Sequence, residues 1–338
     1  MRAIGFSANL PEMIRVSLGS AVVMGLEDAK LSASPTTAYL MTHRQEKCTA
    51  NCRFCPQART SNADPNMLSR VSWPAYQTQE ALRGIVGAVN SCRTKRVCIQ
   101  ALNYRQVFAD LYALVRAIRH SVKVPVSVSS QPLNCENICS LAEAGVERVG
   151  IPLDAASEEI FERVKGAGAG GPYTWEKQWQ LLGEATEVFG KGMISTHLIV
   201  GLGESGKEMV ETIQRCVDMT VLPALFAFTP IMGTALEERV KPSVEQYRRM
   251  QVARYLIVHR IARFEEMMFD GKGSVTGFGI SRRTLSQIVR TGEPFVTSGC
   301  PDCNRPFYNE KPSGPLYNFP EQPTSVQLST IEKQLDLQ

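Results

Sequence analysis

The sequence predicts an α/β fold: a TIM-like (β/α) barrel of six to eight strands, with an N-terminal helix and a C-terminal cysteine-bearing loop extension. Three observations carry that prediction. From residue 31 onward, short β-branched runs alternate with amphipathic stretches six times over, the pattern of a parallel sheet with crossover helices. No reversal of strand order is visible, which favours a barrel over an open sheet. At 338 residues the chain can bury one core of that size.

Taken in order, residues 1–31 read as a helical segment. The stretch "MRAIGFSANLPEMIRVSLGSAVVMG" contains Glu12 and no unbroken apolar run, so it reads as a first helix and not as a secretion signal. Strands are predicted at 38–42, 96–102, 124–129, 148–153, 193–200 and 225–229. Helices are predicted at 78–91, 106–120, 135–144, 156–165, 174–189 and 206–219. A long helix near 244–263 follows. Two more strand candidates, near 265–269 and 294–298, flank a helix near 281–291 and would complete eight units. Residues 301–320, rich in Pro, Gly and Asn, read as ordered loop, and 321–338 as a loose polar tail. The expected division is 1–300 for the barrel with its N-terminal segment, and 301–338 for the extension.

Lys and Arg number 37 against 33 Asp and Glu, a net charge of +4 with no long run of one sign. That balance argues against a nucleic-acid partner. No stretch approaches eighteen consecutive apolar residues, so a membrane span is not expected. Ten cysteines without an export signal point to thiolate chemistry in a reducing, cytoplasmic setting.

Strand alternation assigns the faces. In "RVCIQAL" Cys98 and Gln100 share one face, and "VPVSVSS" groups Ser127 with Ser129. "RVGIPLD" groups Gly150, Pro152 and Asp154; "ISTHLIV" groups Ser195, His197 and Ile199. With the apolar faces turned to the helices, the polar faces enclose a binding chamber in place of a packed interior. His197 reads as a satisfied core histidine.

Residues 48–59, "CTANCRFCPQAR", place Cys48, Cys52 and Cys55 in the loop after the first strand. Structural zinc usually takes four protein ligands, and this stretch holds no fourth Cys and no His. Three thiolates on a [4Fe–4S] cube leave one iron open to a small molecule; a zinc site or inert thiols are the alternatives.

This motif resembles the signature of the radical S-adenosylmethionine (SAM) superfamily, with Phe54 before the third cysteine. Its continuation into Pro-Gln resembles the biotin synthase/lipoyl synthase branch. "IPLDAA" (151–156), "IVGLGES" (199–205) and "PIMGTALE" (230–237) are similar to later motifs of that branch. The resemblance implies that a [4Fe–4S] cluster on the cysteine trio binds S-adenosylmethionine. One electron then yields a 5′-deoxyadenosyl radical that takes hydrogen from an unactivated C–H bond. It further implies that the backbone of Phe54 meets adenine and that Asp154 accepts from the ribose. Gln100 is placed at the methionine amine, with a packed polar core residue as the equal alternative; Lys177 is placed at the carboxylate, although a plain surface lysine is the favoured reading there; and the turn at Gly201 and Leu202 lies near adenine. No catalytic acid, base or nucleophile is assigned.

Cys98 projects inward, and "SGCPDC" brings Cys300 and Cys303 after the last strand candidate. In a closed eight-strand barrel these three would converge at the mouth as a second, auxiliary iron–sulfur site, taken as [4Fe–4S]; a zinc or redox knuckle on the pair alone is the alternative. Cys92, Cys135, Cys139 and Cys216 fall on helical patterns and read as core, with Cys135 and Cys139 as reserve ligands. Cys98 matches one cluster cysteine of biotin synthase, but serines stand where the other two would be. The tail "TSGCPDCNRPFYNEKPSGPLYNFP" instead resembles the two-protein type lipoyl synthases of archaea and some bacteria. The resemblance implies a sulfurtransferase acting on an octanoylated lipoyl carrier domain or glycine cleavage H-type protein. A companion radical SAM protein and an electron donor such as ferredoxin or flavodoxin are implied with it. A biotin synthase-like or other radical SAM enzyme with a non-sacrificial second cluster, and a non-catalytic iron–sulfur scaffold, are the other readings.

Overall fold

The computed structural model describes residues 9–337. Its elements in chain order begin β1 (Met13–Val16), α1 (Leu18–Val23), β2 (Thr37–Thr42), β3 (Met67–Leu68), β4 (Val71–Ser72), β5 (Ala75–Gln77) and α2 (Thr78–Asn90). Next come β6 (Arg96–Gln100), α3 (Val107–Ser121), β7 (Val126–Ser129), α4 (Cys135–Ala144), β8 (Arg148–Gly150), α5 (Glu158–Val164) and α6 (Trp175–Phe189). The chain continues through β9 (Ile194–Val200), α7 (Gly206–Asp218), β10 (Leu222–Ala227) and α8 (Val244–Val258). It ends with β11 (Met268–Phe269), β12 (Val275–Gly277), α9 (Arg282–Thr291) and α10 (Ser325–Gln334).

The eight-stranded sheet has the order β10-β9-β8-β7-β6-β2-β1-β5. The run from β2 to β10 is parallel, and β1 and β5 add antiparallel at the β2 side. All six strands and six helices of the predicted alternation are present. Outward residues such as Val97, Ile99, Val126 and Val149 are fully buried against the helices, while the inward polar residues surround a cavity. Local signals explain the joints. Thr174 caps α6, Ser205 and Glu208 form a reciprocal capping box on α7, and Gly145 closes α4 in the left-handed conformation.

Three expectations fail for identifiable reasons. Residues 1–8 of the expected N-terminal helical segment lie outside the described residues. The rest of it begins as strand β1, held by Arg15 donating to Asn66 and to the Trp73 carbonyl, and only then forms the six-residue α1. The seventh and eighth barrel units are absent: β11 pairs only with β12 in a separate ribbon. Residues near 294–298 form a 3-10 turn at Glu293–Phe295, where Pro294 has no N–H for a ladder, and then one bridge from Val296 to Phe319. Nor is the tail loose. Thr324 and Gln327 cap α10, which buries Ile331 against the core.

Strand pairing thus ends at β10 on one side and β5 on the other; among the described residues no ladder joins them. The open side is covered by the segment 296–320. Ser298 accepts from the Leu225 amide of β10 at 2.8 Å, and Thr229 donates to the Asn309 carbonyl at 3.1 Å. On the β2 side, the Thr36 amide donates to Asn304 at 3.0 Å, and the Thr36 hydroxyl donates to the Asp302 carbonyl at 2.5 Å. Arg248 of α8 secures the same segment from below. Its guanidinium donates to the Leu316 and Tyr317 carbonyls and lies against the Phe295 and Phe319 rings. No helix among the described residues is long and apolar enough to cross a membrane.

Glu310, in this segment, is buried with one carboxylate oxygen lacking a hydrogen-bond partner. Burial pushes its pKa up to about 7. A raised folded-state pKa contributes stability below the ordinary carboxylate range and loses it as pH climbs toward 7. Glu310→Gln is therefore expected to flatten the stability profile between pH 5 and pH 8. It should raise stability at pH 8 by about 1–3 kcal/mol, read from urea denaturation; an unchanged profile would show that Glu310 is not the titrating group.

Candidate metal centres in the chamber

The loop after β2 is wound around three polar side chains, the buried Gln57 and the half-buried Lys47 and Asn51. The Lys47 ammonium donates to the carbonyls of Pro56, Ser61 and Ala63 at 3.0, 2.6 and 2.9 Å. The Gln57 amide donates to Pro65 and Met67, and Asn51 ties the loop to Thr60 and Ala169. Backbone bonds from Thr49 to Asn103 and from Arg53 to Val164 fix it to its neighbours. The consequence is that Cys48, Cys52 and Cys55 all face one cavity of about 630 Å³. The Asn103 amide already donates to the Cys48 sulfur at 3.1 Å.

Burial, reinforced by the neighbouring thiols, raises the Cys52 pKa and pushes Cys55 up to about 12. Without a cation the trio is therefore protonated; a bound metal centre would supply the charge that removes those protons. The donor set of three soft sulfurs fits a cluster with one open iron; His43, the nearest histidine in sequence, is not among the residues that line the cavity. Among the described residues no three Cys, His, Asp or Glu side chains are gathered tightly enough to share a single ion.

Beside the trio lies a buried ion pair. The Lys165 ammonium, fully buried, donates to the Asp154 carboxylate at 2.7 Å and to the Pro152 carbonyl, between the rings of Phe161 and Tyr173. Local chain geometry puts Asp154 there. Pro152 interrupts the β8 ladder, the Thr196 hydroxyl takes over by accepting from Leu153, and Asp154 returns to β9 with a left-handed φ of 68°. Asp tolerates that region better than most residues.

The second trio forms without an eighth strand. Cys98 of β6, with Cys300 and Cys303 of the covering segment, lines the same cavity. Arg96 donates to the Pro301 carbonyl, and Thr36 and Thr37 to that of Asp302. These anchors lie at the strands' N-terminal ends, so the second trio sits at the opposite end of the chamber from Cys48, Cys52 and Cys55, not at the shared mouth that was expected. The Gln100 amide donates to the Cys98 sulfur at 3.2 Å, the Tyr39 hydroxyl lies 3.3 Å from Cys303, and Ser127 donates to Cys300 at 3.7 Å.

The other expected site residues divide. Phe54, Gln100 and Asp154 line the chamber; Lys177, Gly201 and Leu202 are not among its lining residues. Lys177 occupies the first turn of α6. The Gly201 and Leu202 amides both donate to the Glu204 carboxylate, at 2.6 and 2.9 Å, so the turn satisfies itself. Gly201 is required there: its φ is 107°, and a Cβ would stand 2.8 Å from Pro242. Of the cysteines read as core, only Cys216 is buried. Cys92 and Cys135 are exposed, and Cys135 lies 3.8 Å from Cys139 on the outer face of α4, away from either trio. His197 packs on Phe226, and burial lowers its pKa to about 3, so it is neutral. Sequence reasoning missed Tyr39, Lys165 and Arg305. Alternation along "TAYLMT" would have turned Tyr39 inward, whereas nothing in "FERVKGAG" marks Lys165 as buried.

The family model described as "Radical SAM superfamily" matches residues 43–216. Biotin synthase of Mycobacterium avium is 25% identical over 221 residues, 64% of this chain and 60% of that protein. Biotin synthase of Acidothermus cellulolyticus is 28% identical over 173 residues, 51% of this chain and 48% of that protein. The chain therefore spans less than two thirds of the length of these curated relatives. Among solved structures, methylornithine synthase aligns with a TM-score of 0.52 at 10% identity, covering 71% of this chain and 67% of that one. A maturase of the [FeFe]-hydrogenase aligns with a TM-score of 0.50 at 12% identity, covering 73% and 61%. At such identities the likeness concerns the fold.

Lys165→Met would leave the Asp154 carboxylate buried and unpaired, with an expected loss of about 3–5 kcal/mol of stability. The double variant with Asp154→Asn should recover most of it. A loss in the double variant equal to the sum of the two single-variant losses, in urea denaturation, would show that the pair is not coupled.

Proposed function

The chain belongs to the radical SAM superfamily, and on that premise we propose that it is a sulfurtransferase. It inserts sulfur from an auxiliary iron–sulfur cluster into an unactivated C–H bond of a protein-bound octanoyl chain. The observation that carries this reading is that two thiol trios open into one chamber from opposite ends, separated by largely apolar walls. A carbon centre activated near the first trio would face a sulfur store at the second with no barrier between them.

Cys48, Cys52 and Cys55 would hold a [4Fe–4S] cluster, and Cys98, Cys300 and Cys303 an auxiliary one. When bound, the first cluster with S-adenosylmethionine supplies a carbon radical strong enough to take hydrogen from an alkyl chain. The protein's share is positioning and exclusion of water. Phe54 and Asp154 line the end nearest the first trio, where adenine and ribose would lie. Inward Ser129, Gly150 and Ser195 leave space at mid-chamber: a Cβ on Gly150 would stand 3.2 Å from the Ser195 hydroxyl. Met41 and Phe228 add apolar wall that suits an acyl chain. The reading extends to an octanoylated lipoyl carrier domain or glycine cleavage H-type protein as substrate. It includes a companion radical SAM protein for the second carbon, and ferredoxin or flavodoxin as reductant.

Anaerobically reconstituted protein is expected to hold about eight irons per chain, and Cys48→Ala or Cys303→Ala about four. With S-adenosylmethionine and dithionite, the wild type should release 5′-deoxyadenosine and add sulfur to an octanoyl-lysine peptide, read by mass spectrometry. Cys303→Ala should still release 5′-deoxyadenosine but add no sulfur. Deoxyadenosine without sulfur transfer to any acyl peptide in the wild type would favour a radical enzyme whose second cluster is not consumed. No deoxyadenosine at all would favour a scaffold.

A further inference from the structure

The second trio differs from the first in what surrounds its sulfurs. Tyr39, Cys98 and Ser127 stand on one rung of the sheet, paired across β2, β6 and β7. Gln100 lies one inward position further along β6. Each sulfur has its own neighbour of donor type: Gln100 for Cys98 at 3.2 Å, Tyr39 for Cys303 at 3.3 Å and Ser127 for Cys300 at 3.7 Å.

The hydroxyl hydrogens are also directed. The Arg305 backbone amide donates to the Tyr39 oxygen at 2.9 Å, and Arg96 donates to the Ser127 oxygen at 2.9 Å. Arg96 is itself held by Glu147 at 2.5 Å. With those oxygens accepting, each hydroxyl has its hydrogen available for sulfur. A metal-bound thiolate carries no hydrogen, so in a loaded site both bonds must run from oxygen to sulfur. The Arg305 guanidinium, fixed 3.9 Å over the Phe226 ring and donating to the Ser298 carbonyl, adds a positive charge that favours the Cys98 and Cys303 thiolates.

We propose that Tyr39, Gln100 and Ser127 are positioning residues of the second site. They present one hydrogen bond to each of its three sulfurs and thereby raise the reduction potential of the cluster bound there. The proposal rests on the reading of Cys98, Cys300 and Cys303 as a cluster site. Hydrogen bonds to sulfur offset negative charge, and a reduced cluster carries more of it, so donors stabilise the reduced form. An electron arriving in the chamber would then rest more easily at the sulfur store than it would without these donors.

The test is a potentiometric titration of the reconstituted full chain, followed by electron paramagnetic resonance. Wild type is compared with Tyr39→Phe, Ser127→Ala and Gln100→Leu. Each variant should shift the midpoint of the second cluster to a more negative potential while keeping its iron. The double variant Tyr39→Phe with Ser127→Ala should shift it further and leave the first cluster's midpoint in place. Unmoved midpoints with iron retained would overturn the proposal. The three single variants are read separately, so one that fails to load leaves the other two to decide. A wild type holding about four irons, insensitive to Cys98→Ala, would sink the two-cluster reading instead.

Discussion

The arrangement depends on one set of hydrogen bonds, those that lay the segment 296–320 across the open side of the sheet. The six-stranded parallel run is not closed by pairing among the described residues, and β10 and β5 remain separate edges. The segment joins the β10 side through Ser298 and Thr229, and the β2 side through Thr36 and Tyr39. Seating it encloses the chamber and delivers Cys300 and Cys303 to Cys98 at once. Arg248 reinforces that seating by donating to the Leu316 and Tyr317 carbonyls, the second of which also accepts from Gln251.

Enclosure sets the electrostatics of the interior. Burial keeps the Cys48, Cys52 and Cys55 thiols protonated and His197 neutral, and the Lys165 charge is matched by Asp154. A metal centre bound at the first trio would bring the charge that ionises those thiols, so occupancy and ionisation would be linked. The two ends are built from different materials. The first trio sits on a loop braced by Lys47, Asn51 and Gln57, which lend it backbone shape. The second sits on a sheet rung and a strap, with side chains aimed at its sulfurs.

Much of this was legible. Alternation found all six parallel strands and turned Cys98, Gln100, Ser127, Asp154 and Ser195 inward, because a strand's period of two survives any change in how the sheet closes. The spacing of Cys48, Cys52 and Cys55 was readable because one loop holds all three. The meeting of Cys98 with Cys300 and Cys303 was expected for a wrong reason: an eighth strand was supposed to bring them together, and a loop does. Loop paths are set by side-chain contacts such as Thr36 with Asn304, which leave no periodic trace. The tail was misjudged because α10 is polar on most of its surface and its cap was overlooked. Lys165 was invisible for a similar reason, since a lysine's burial depends on rings and carbonyls contributed by other parts of the chain.

A sheet edge joined by a ladder is held by backbone atoms that every residue type supplies, and it resists change at single positions. This chamber's last wall is written instead in side chains: Thr36, Asn304, Ser298, Thr229 and Arg248. The width and lining of the interior on that side are therefore set by single side chains, while the parallel core is held by backbone pairing.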